Sequence, residues 1–213
     1  MTQYGSQFKY MLQQNIQKII DLLYNQDNLA VPMAEFVSLC VQRQGSQIAT
    51  QIIADLTKQI FHTDSSHETI GIKNIAKFLS KLSKLAPKAV YNNITHLLGF
   101  FDCEAYLLRQ SLIKILANTI MYVFNPSARS EEEQHDQQME QVYEQTKNKF
   151  FELLLKRFHD KSAFCRIKVM KIFRKLVSEN LVPEWMYMSL FQAVIGRLRD
   201  QAVNVRKSAL GIF

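Results

Sequence analysis

The chain has 213 residues, 47% of them hydrophobic, and 26 Lys and Arg against 19 Asp and Glu, for a formal net charge of +7. That apolar content is enough for a continuous core, and only four prolines and six glycines interrupt it, which suits long helices. The charge is uneven: residues 1–146 hold 12 basic and 14 acidic side chains, a balance of −2, whereas residues 147–213 hold 14 and 5, a balance of +9. A basic final third points to an acidic partner surface.

Cys40, Cys103 and Cys165 are isolated, odd in number and set in helical patterns, so a reducing compartment is expected and a disulfide framework or zinc site is not. No basic-then-apolar leader opens the sequence. The longest apolar run, Leu112 to Phe124, is broken by Lys114 and Asn118 and is too short to span a bilayer. The expectation is a soluble intracellular protein without a membrane partner.

In chain order, Phe8, Leu12, Ile16, Ile19, Ile20 and Leu23 give residues 3–26 one sticky helical face. Pro32 opens a second helix that stops near Gly45, since proline is welcome in a first turn. A third helix follows over 46–61 with Ile48, Ile52, Ile53, Leu56 and Ile60 inward, then a polar turn from His62 to His67. Residues 69–86 form the next helix (Ile72, Ile75, Ala76, Leu79, Leu82, Leu85), Pro87 starts another to Phe101, and 105–124 completes that pair. Asn125-Pro126 ends helix. The stretch 127–138, with Arg129, Glu131, Glu132, Glu133 and Asp136, is almost free of apolar residues and reads as an exposed loop. Helices resume over 141–158, 162–178, 183–198 and from Ala202 onward.

Two late segments repeat each other: Leu155-Lys-Arg-Phe-His-Asp160-Lys-Ser-Ala-Phe-Cys-Arg166 and Gly196-Arg-Leu-Arg-Asp200-Gln-Ala-Val-Asn-Val-Arg206. Asp160 and Asp200 stand at the same interval as Arg166 and Arg206. A weaker copy runs from Leu97 through Asp102 to Arg109, with a slightly longer gap from Asp to Arg, and the loop accounts for the wider interval between Asp102 and Asp160. A period of about 40 residues built of two helices marks an all-α, right-handed solenoid of HEAT/armadillo-type hairpins. Its parts are N-terminal helices over 1–68 belonging to the same solenoid, HEAT-type helices over 69–124, an acidic loop over 125–139, and two basic repeats over 140–213. The last of these stops in mid-helix, as in a fragment of a longer protein. Asp at the turn is expected to accept amides at the start of the second helix. The helical stretch from Asp to Arg carries the Arg off its own Asp, so Arg109, Arg166 and Arg206 are expected to reach Asp102, Asp160 or Asp200 of an adjacent repeat as a ladder.

The chain carries no glycine-rich phosphate loop, no Gly-x-Ser-x-Gly elbow and no paired His spacing on one helix. His62, Asp64 and His67 lack further ligands and read as a polar turn. His159-Asp160 has Arg199-Asp200 as its counterpart one repeat on, so it is structural, and Cys165 is a small core residue. No catalytic residue, metal, cofactor or small-molecule substrate is expected. Ser130 ahead of three glutamates resembles an acidophilic kinase site but reads better as plain loop.

Binding is better supported. On the helix after Asp160, Phe164, Ile167, Met170, Phe173 and Val177 are expected to form the buried stripe. Lys168, Lys171 and Lys175 form a second stripe with Arg174 beside it. Lys156, Arg157 and Lys161 precede them, and Arg197, Arg199 and Lys207 follow one repeat later. Stacked repeats would gather these into a basic strip suited to the phosphates of duplex DNA without sequence readout. An acidic or mixed peptide is the competing ligand, as for a generic HEAT-repeat adaptor.

The runs Gly71-Ile-Lys-Asn-Ile-Ala-Lys-Phe-Leu-Ser-Lys-Leu-Ser-Lys-Leu-Ala-Pro87, Leu97 to Arg109, Leu155 to Val169 and Gly196 to Ala209 resemble the condensin non-SMC HEAT-repeat subunit 1 family over about residues 69–213. That resemblance implies a non-catalytic scaffold in the condensin complex that binds the kleisin and SMC subunits and helps hold double-stranded DNA in mitotic chromosome condensation. It also implies a nuclear and chromosomal location. The assignment of the basic strip to DNA is independent of it.

Overall fold

The computed structural model describes residues 3–62, 69–125 and 137–212, with side chains from 13 to 62, 69 to 125 and 140 to 212. Asp64, His67, Ser130 and the acidic loop over 127–136 lie outside the described residues. Every described element is helical, and there is no strand among them. The protein is an all-α chain of packed helix pairs of the HEAT-repeat kind. It divides into two compact units, residues 1–111 and 112–213.

In the first unit, α1 (Gln3–Asn25), α2 (Ala30–Gln44), α3 (Gln47–His62) and α4 (Ile70–Leu85) pack together, with α4 against both α1 and α2. Ile48, Ile52, Ile53, Leu56 and Ile60 of α3 are buried, as their helical spacing requires. Thr69 starts α4 by accepting the Ile72 amide on its Oγ1 at 3.2 Å, a side-chain N-cap. α4 buries more than one stripe, because Asn74 and Phe78 join Ile72, Ile75, Leu79 and Leu82 in the interior. Asn74 donates its amide to the carbonyls of Leu23 and Gln26 at 3.1 and 2.9 Å, satisfying the exposed carbonyl end of α1.

The single helix expected over 87–101 is instead broken. α5 (Pro87–Tyr91) and α6 (Ile94–Leu97) are followed by a 3-10 turn over Leu98–Asp102. The cause is Asn93. Its side-chain amide takes the Ala89 carbonyl at 2.8 Å, while its backbone amide turns to Val90. The side chain displaces the backbone bond that would continue the helix, and it also donates to Thr50 on α3 at 3.0 Å. α7 (Tyr106–Tyr122) then carries the chain from the first unit into the second.

In the second unit, Phe124 packs against Tyr143 and Phe150 with ring centres 5.4 and 5.5 Å apart. α8 (Gln137–Lys156) begins inside the stretch expected to be loop and ends in a 3-10 turn over Arg157–His159. α9 (Ala163–Ser178) follows, with Phe173 against Phe151 and Phe158 at ring-centre distances of 6.2 and 5.4 Å. The second hairpin is a 3-10 turn over Glu184–Met186, α10 (Tyr187–Arg197) and α11 (Val203–Leu210), with α11 against α9 and α10 against the 157–159 turn. α9 ends in a Schellman motif. Asn180 at φ 53° donates to Val177, and the Leu181 amide donates to Leu176, the left-handed residue that this closure needs.

The two hairpin turns share one polar construction. Oδ1 of Asp160 accepts the Ser162 amide at 2.9 Å, and Oδ1 of Asp200 accepts the Ala202 amide at 3.0 Å. The carboxylate therefore closes the turn just ahead of the helix rather than capping its inner amides. Arg166 donates Nη1 to the carbonyls of Asp160 and Lys161 at 2.8 and 3.2 Å. Its Nε and Nη2 grip both oxygens of Asp200 in the next hairpin at 2.8 Å each. Arg206 repeats the carbonyl half on Asp200 and Gln201 at 2.8 and 3.0 Å. Arg109 does the same on Cys103 and Glu104 at 2.6 and 2.7 Å. The upstream counterpart of Asp160 is thus Cys103, and Asp102 stands one place off, exposed; the longer gap in that copy is the trace of this shift. Burial pushes the Asp200 carboxyl up, but the hydrogen bonds from Arg166 and the Ala202 amide and the charges of Arg166 and Arg197 outweigh it, holding it below the ordinary carboxylate value.

Gly71 is buried against α1, where a Cβ would stand 2.5 Å from Tyr24 Cδ1 and 3.3 Å from its Cα. Gly71→Ala, normally worth up to about 1 kcal/mol to a helix, should here cost about 1–2 kcal/mol in urea melts. A carboxyl held low stabilises the fold above its unfolded value, near about 4, and that contribution fades as pH falls through the folded value. Asp200→Asn should therefore cost about 2–4 kcal/mol at pH 7. Its deficit against the parent should shrink below about pH 4, and an undiminished deficit at lower pH would rule out the carboxylate charge as its source.

Candidate nucleic-acid interface

The basic residues expected in the strip fall into three sets. Arg157 and Arg197, expected in the strip, are turned onto the aspartate of their own turn. Arg157 Nη1 lies 3.6 Å from Asp160 Oδ2, and Arg197 Nη1 lies 3.0 Å from Asp200 Oδ2. Each pair has the i, i+3 spacing at which side chains meet, and both aspartates are buried. These two arginines are tied into the turns and hold little charge for a ligand.

The second set lies at the turn end of the hairpins. Lys156 is the last residue of α8, Lys161 and Arg199 sit in the two turns, and all three are exposed. Lys156 and His159 stand on one wall of an open groove of about 510 Å³, with Glu152 beside them and Ser189 and Gln192 of α10 opposite. Lys207 is exposed on α11.

The third set runs down α9. Lys168, Lys171 and Lys175 occupy one face over about 10 Å of helix axis, with Arg174 alongside against Gly211. Lys171, Arg174 and Lys175 are exposed and Lys168 is half-buried. Burial, and then the neighbouring charge of Lys171, draw the Lys168 ammonium below its ordinary pKa. A cation in that position gains from any incoming anion, which replaces lost water and offsets the repulsion. Among the described residues, Lys156, Lys168, Lys171, Arg174, Lys175, Arg199 and Lys207 have no carboxylate partner.

The buried face of α9 differs from the expected one. Cys165, Val169, Met170, Phe173 and Leu176 are buried, Ile167 and Val177 are intermediate, and Phe164 is 59% exposed. Successive i, i+3 steps drift backwards around an α-helix, so the stripe that is buried at Met170 and Phe173 has its start, Phe164, outside the core. The register of the repeat holds the correcting signal: Phe164 aligns with polar Asn204, and Cys165 aligns with Val205, which are exposed and buried respectively. Phe164 consequently heads the lysine face at i, i+4, i+7 and i+11, an aromatic beside cations that sequence reasoning missed.

Other chemistry finds little to work with. Cys103 and Cys165 are buried thiols and Cys40 is half-buried. Among the described residues no group of three or more His, Cys, Asp or Glu could hold a metal ion, and no helix is long and apolar enough to cross a membrane.

No protein-family model matches the chain. Curated relatives do. Condensin complex subunit 1 of Xenopus laevis is 27% identical over 209 residues, covering 97% of this chain and 14% of the relative. Condensin-1 complex subunit CAP-D2 of Arabidopsis thaliana is 27% identical over 213 residues, covering 98% and 14%. Condensin complex subunit 1 of Schizosaccharomyces pombe is 29% identical over 196 residues, covering 92% and 16%. The chain thus spans about one seventh of the length of these three relatives, while each of them matches more than nine tenths of it. Over nearly all of its length the chain is similar to one segment of condensin complex subunit 1.

Proposed function

We propose that this chain is part of a non-catalytic scaffold subunit of condensin, acting on chromosomes in the nucleus, and that its second unit contacts the backbone of double-stranded DNA. The observation that carries the condensin role is end-to-end similarity to condensin complex subunit 1 from three kingdoms. In this reading the helical surface holds the kleisin and SMC subunits, the N-terminal helices belong to the same solenoid, and reaction chemistry resides in the partners. The DNA contact draws its support from the surplus of +9 over residues 147–213 and from the seven strip cations that, among the described residues, have no carboxylate partner. Lysine-borne charge of this kind meets phosphates without reading bases, so the contact is independent of sequence.

Duplex binding across a salt series tests the DNA contact. The parent should lose affinity steeply, with a log–log slope of about −0.9 per phosphate neutralised. Changing Lys168, Lys171 and Lys175 together to Glu should weaken binding at least about tenfold and flatten that slope by about 3, with helicity by circular dichroism unchanged. Duplex binding that is absent or insensitive to salt, alongside intact binding of an acidic peptide, would favour the adaptor reading.

A further inference from the structure

The near-neutral balance of the amino-terminal half conceals a local concentration of one sign. Residues 73–88 hold five lysines and no acid, half of the ten basic residues of the first unit. Apart from Ile70 and half-buried Leu85, every residue of α4 that is not buried is a lysine: Lys73, Lys77, Lys81 and Lys84. These four lie within about 80° of one another round the helix and span about 16 Å of its axis. Lys88 follows, exposed, at the start of α5. Such a row works against the helix that carries it. Lysines at i, i+3 and i, i+4 repel each other, and Lys73 stands near the N-terminus, where a cation is disfavoured. A face that served solubility alone would gain from mixed signs.

One carboxylate enters the row. Lys81 Nζ lies 3.1 Å from Oε1 of Glu35 on α2, and α2 packs along α4. Glu35 thus marks the side of α2 that adjoins the lysines. Leu39 stands one turn on from it on that side, and Phe36 follows it round the helix. Leu39 and Phe36 are 53% and 52% exposed. Among the described residues, Lys73, Lys77 and Lys84 have no carboxylate partner. The surface therefore has cations towards both ends and an acid with two apolar side chains beside its middle.

We propose that this face of α4 and α2 is a docking surface for an amphipathic acidic segment of a partner protein. Its carboxylates would meet Lys73, Lys77, Lys84 and Lys88, and its apolar side chains would bury Phe36 and Leu39. A nucleic-acid backbone fits less well, because its charge is evenly spaced and would bring phosphates to Glu35 and to the apolar pair. A second copy of the same face would set lysine against lysine. The proposal deepens the scaffold reading, on which it rests for having a protein partner, and it uses a different unit from the cations assigned to DNA.

The test titrates the full chain into a fluorescently labelled synthetic peptide with a glutamate block at each end and a leucine-rich middle, read by anisotropy. The parent chain should bind it, and a version with serines in place of the leucines should bind at least about tenfold more weakly. Lys77→Glu with Lys84→Glu should weaken binding at least about tenfold without lowering the melting temperature of the free chain, since repulsion with Lys73 and Lys81 becomes attraction. Lys77→Gln with Lys84→Gln should weaken it less, in the same direction. Phe36→Ser with Leu39→Ser should also weaken it, whereas changing Lys168, Lys171 and Lys175 to Glu should leave it unchanged. A parent chain that ignores the peptide, or a Lys77 and Lys84 variant that binds it equally well, would overturn the surface and leave the condensin role, which rests on similarity, intact. Loss of the peptide from the Lys168, Lys171 and Lys175 variant would overturn its placement on α4. A DNA duplex that binds more tightly than the peptide and depends on Lys77 and Lys84 would overturn the protein segment as occupant.

Discussion

Asp200 is the joint of the second unit. Its two oxygens accept from Arg166 in the preceding hairpin, from Arg197 in the helix that leads into its own turn, and from the Ala202 amide that opens the next helix. A buried carboxylate is costly unless its lone pairs are met, and here every one of those partners belongs to an element that has to be placed. One side chain therefore fixes the turn, the incoming helix and the neighbouring repeat together. Removing it would leave two guanidinium groups close to each other with nothing between them.

This arrangement also explains how the positive charge is sorted. The arginines at repeat positions, Arg157, Arg166, Arg197 and Arg206, are drawn inward by carboxylates or turn carbonyls, where the planar fork is useful. The lysines of α9 stay outside, where a compact and hydrated ammonium on a flexible stem is at home. The exposed positive charge is thus mostly what the joints leave over. Within the α9 stripe, Lys168 combines partial burial with a like-charged neighbour, so it has the most to gain from an added anion.

The repeat architecture was legible because it is written twice. The Asp-to-Arg spacing and the period of the repeat follow from turn chemistry and helix length, both local properties. The helix starts at Thr69 and Pro87 were equally plain, being matters of capping and of proline geometry. Illegible features were those decided by partners distant in sequence. Asn93 breaks a helix by reaching Thr50 on another one, and the helical pattern around it gives no warning. Asp102 looks like Asp160 in sequence, yet the anchoring carbonyls show that Cys103 holds the equivalent place. Phe164 was misplaced because an apolar residue on an amphipathic helix is read inward by default; only its alignment with Asn204 places it outside.

Asn74 carries a further consequence for the amino-terminal unit. Its bonds to Leu23 and Gln26 reach back across α2 and α3, farther than one repeat, and they stitch α4 to the end of α1. In an ideal stack each unit touches only its neighbours, so it can fray or be trimmed unit by unit. A stitch that skips two helices forbids that here: α1 cannot peel away without opening the carbonyl bonds at the core of α4, and α4 cannot form fully before α1 has arrived. Opening of α1 and opening of α4 are therefore coupled, with the slower closure that distant contacts impose.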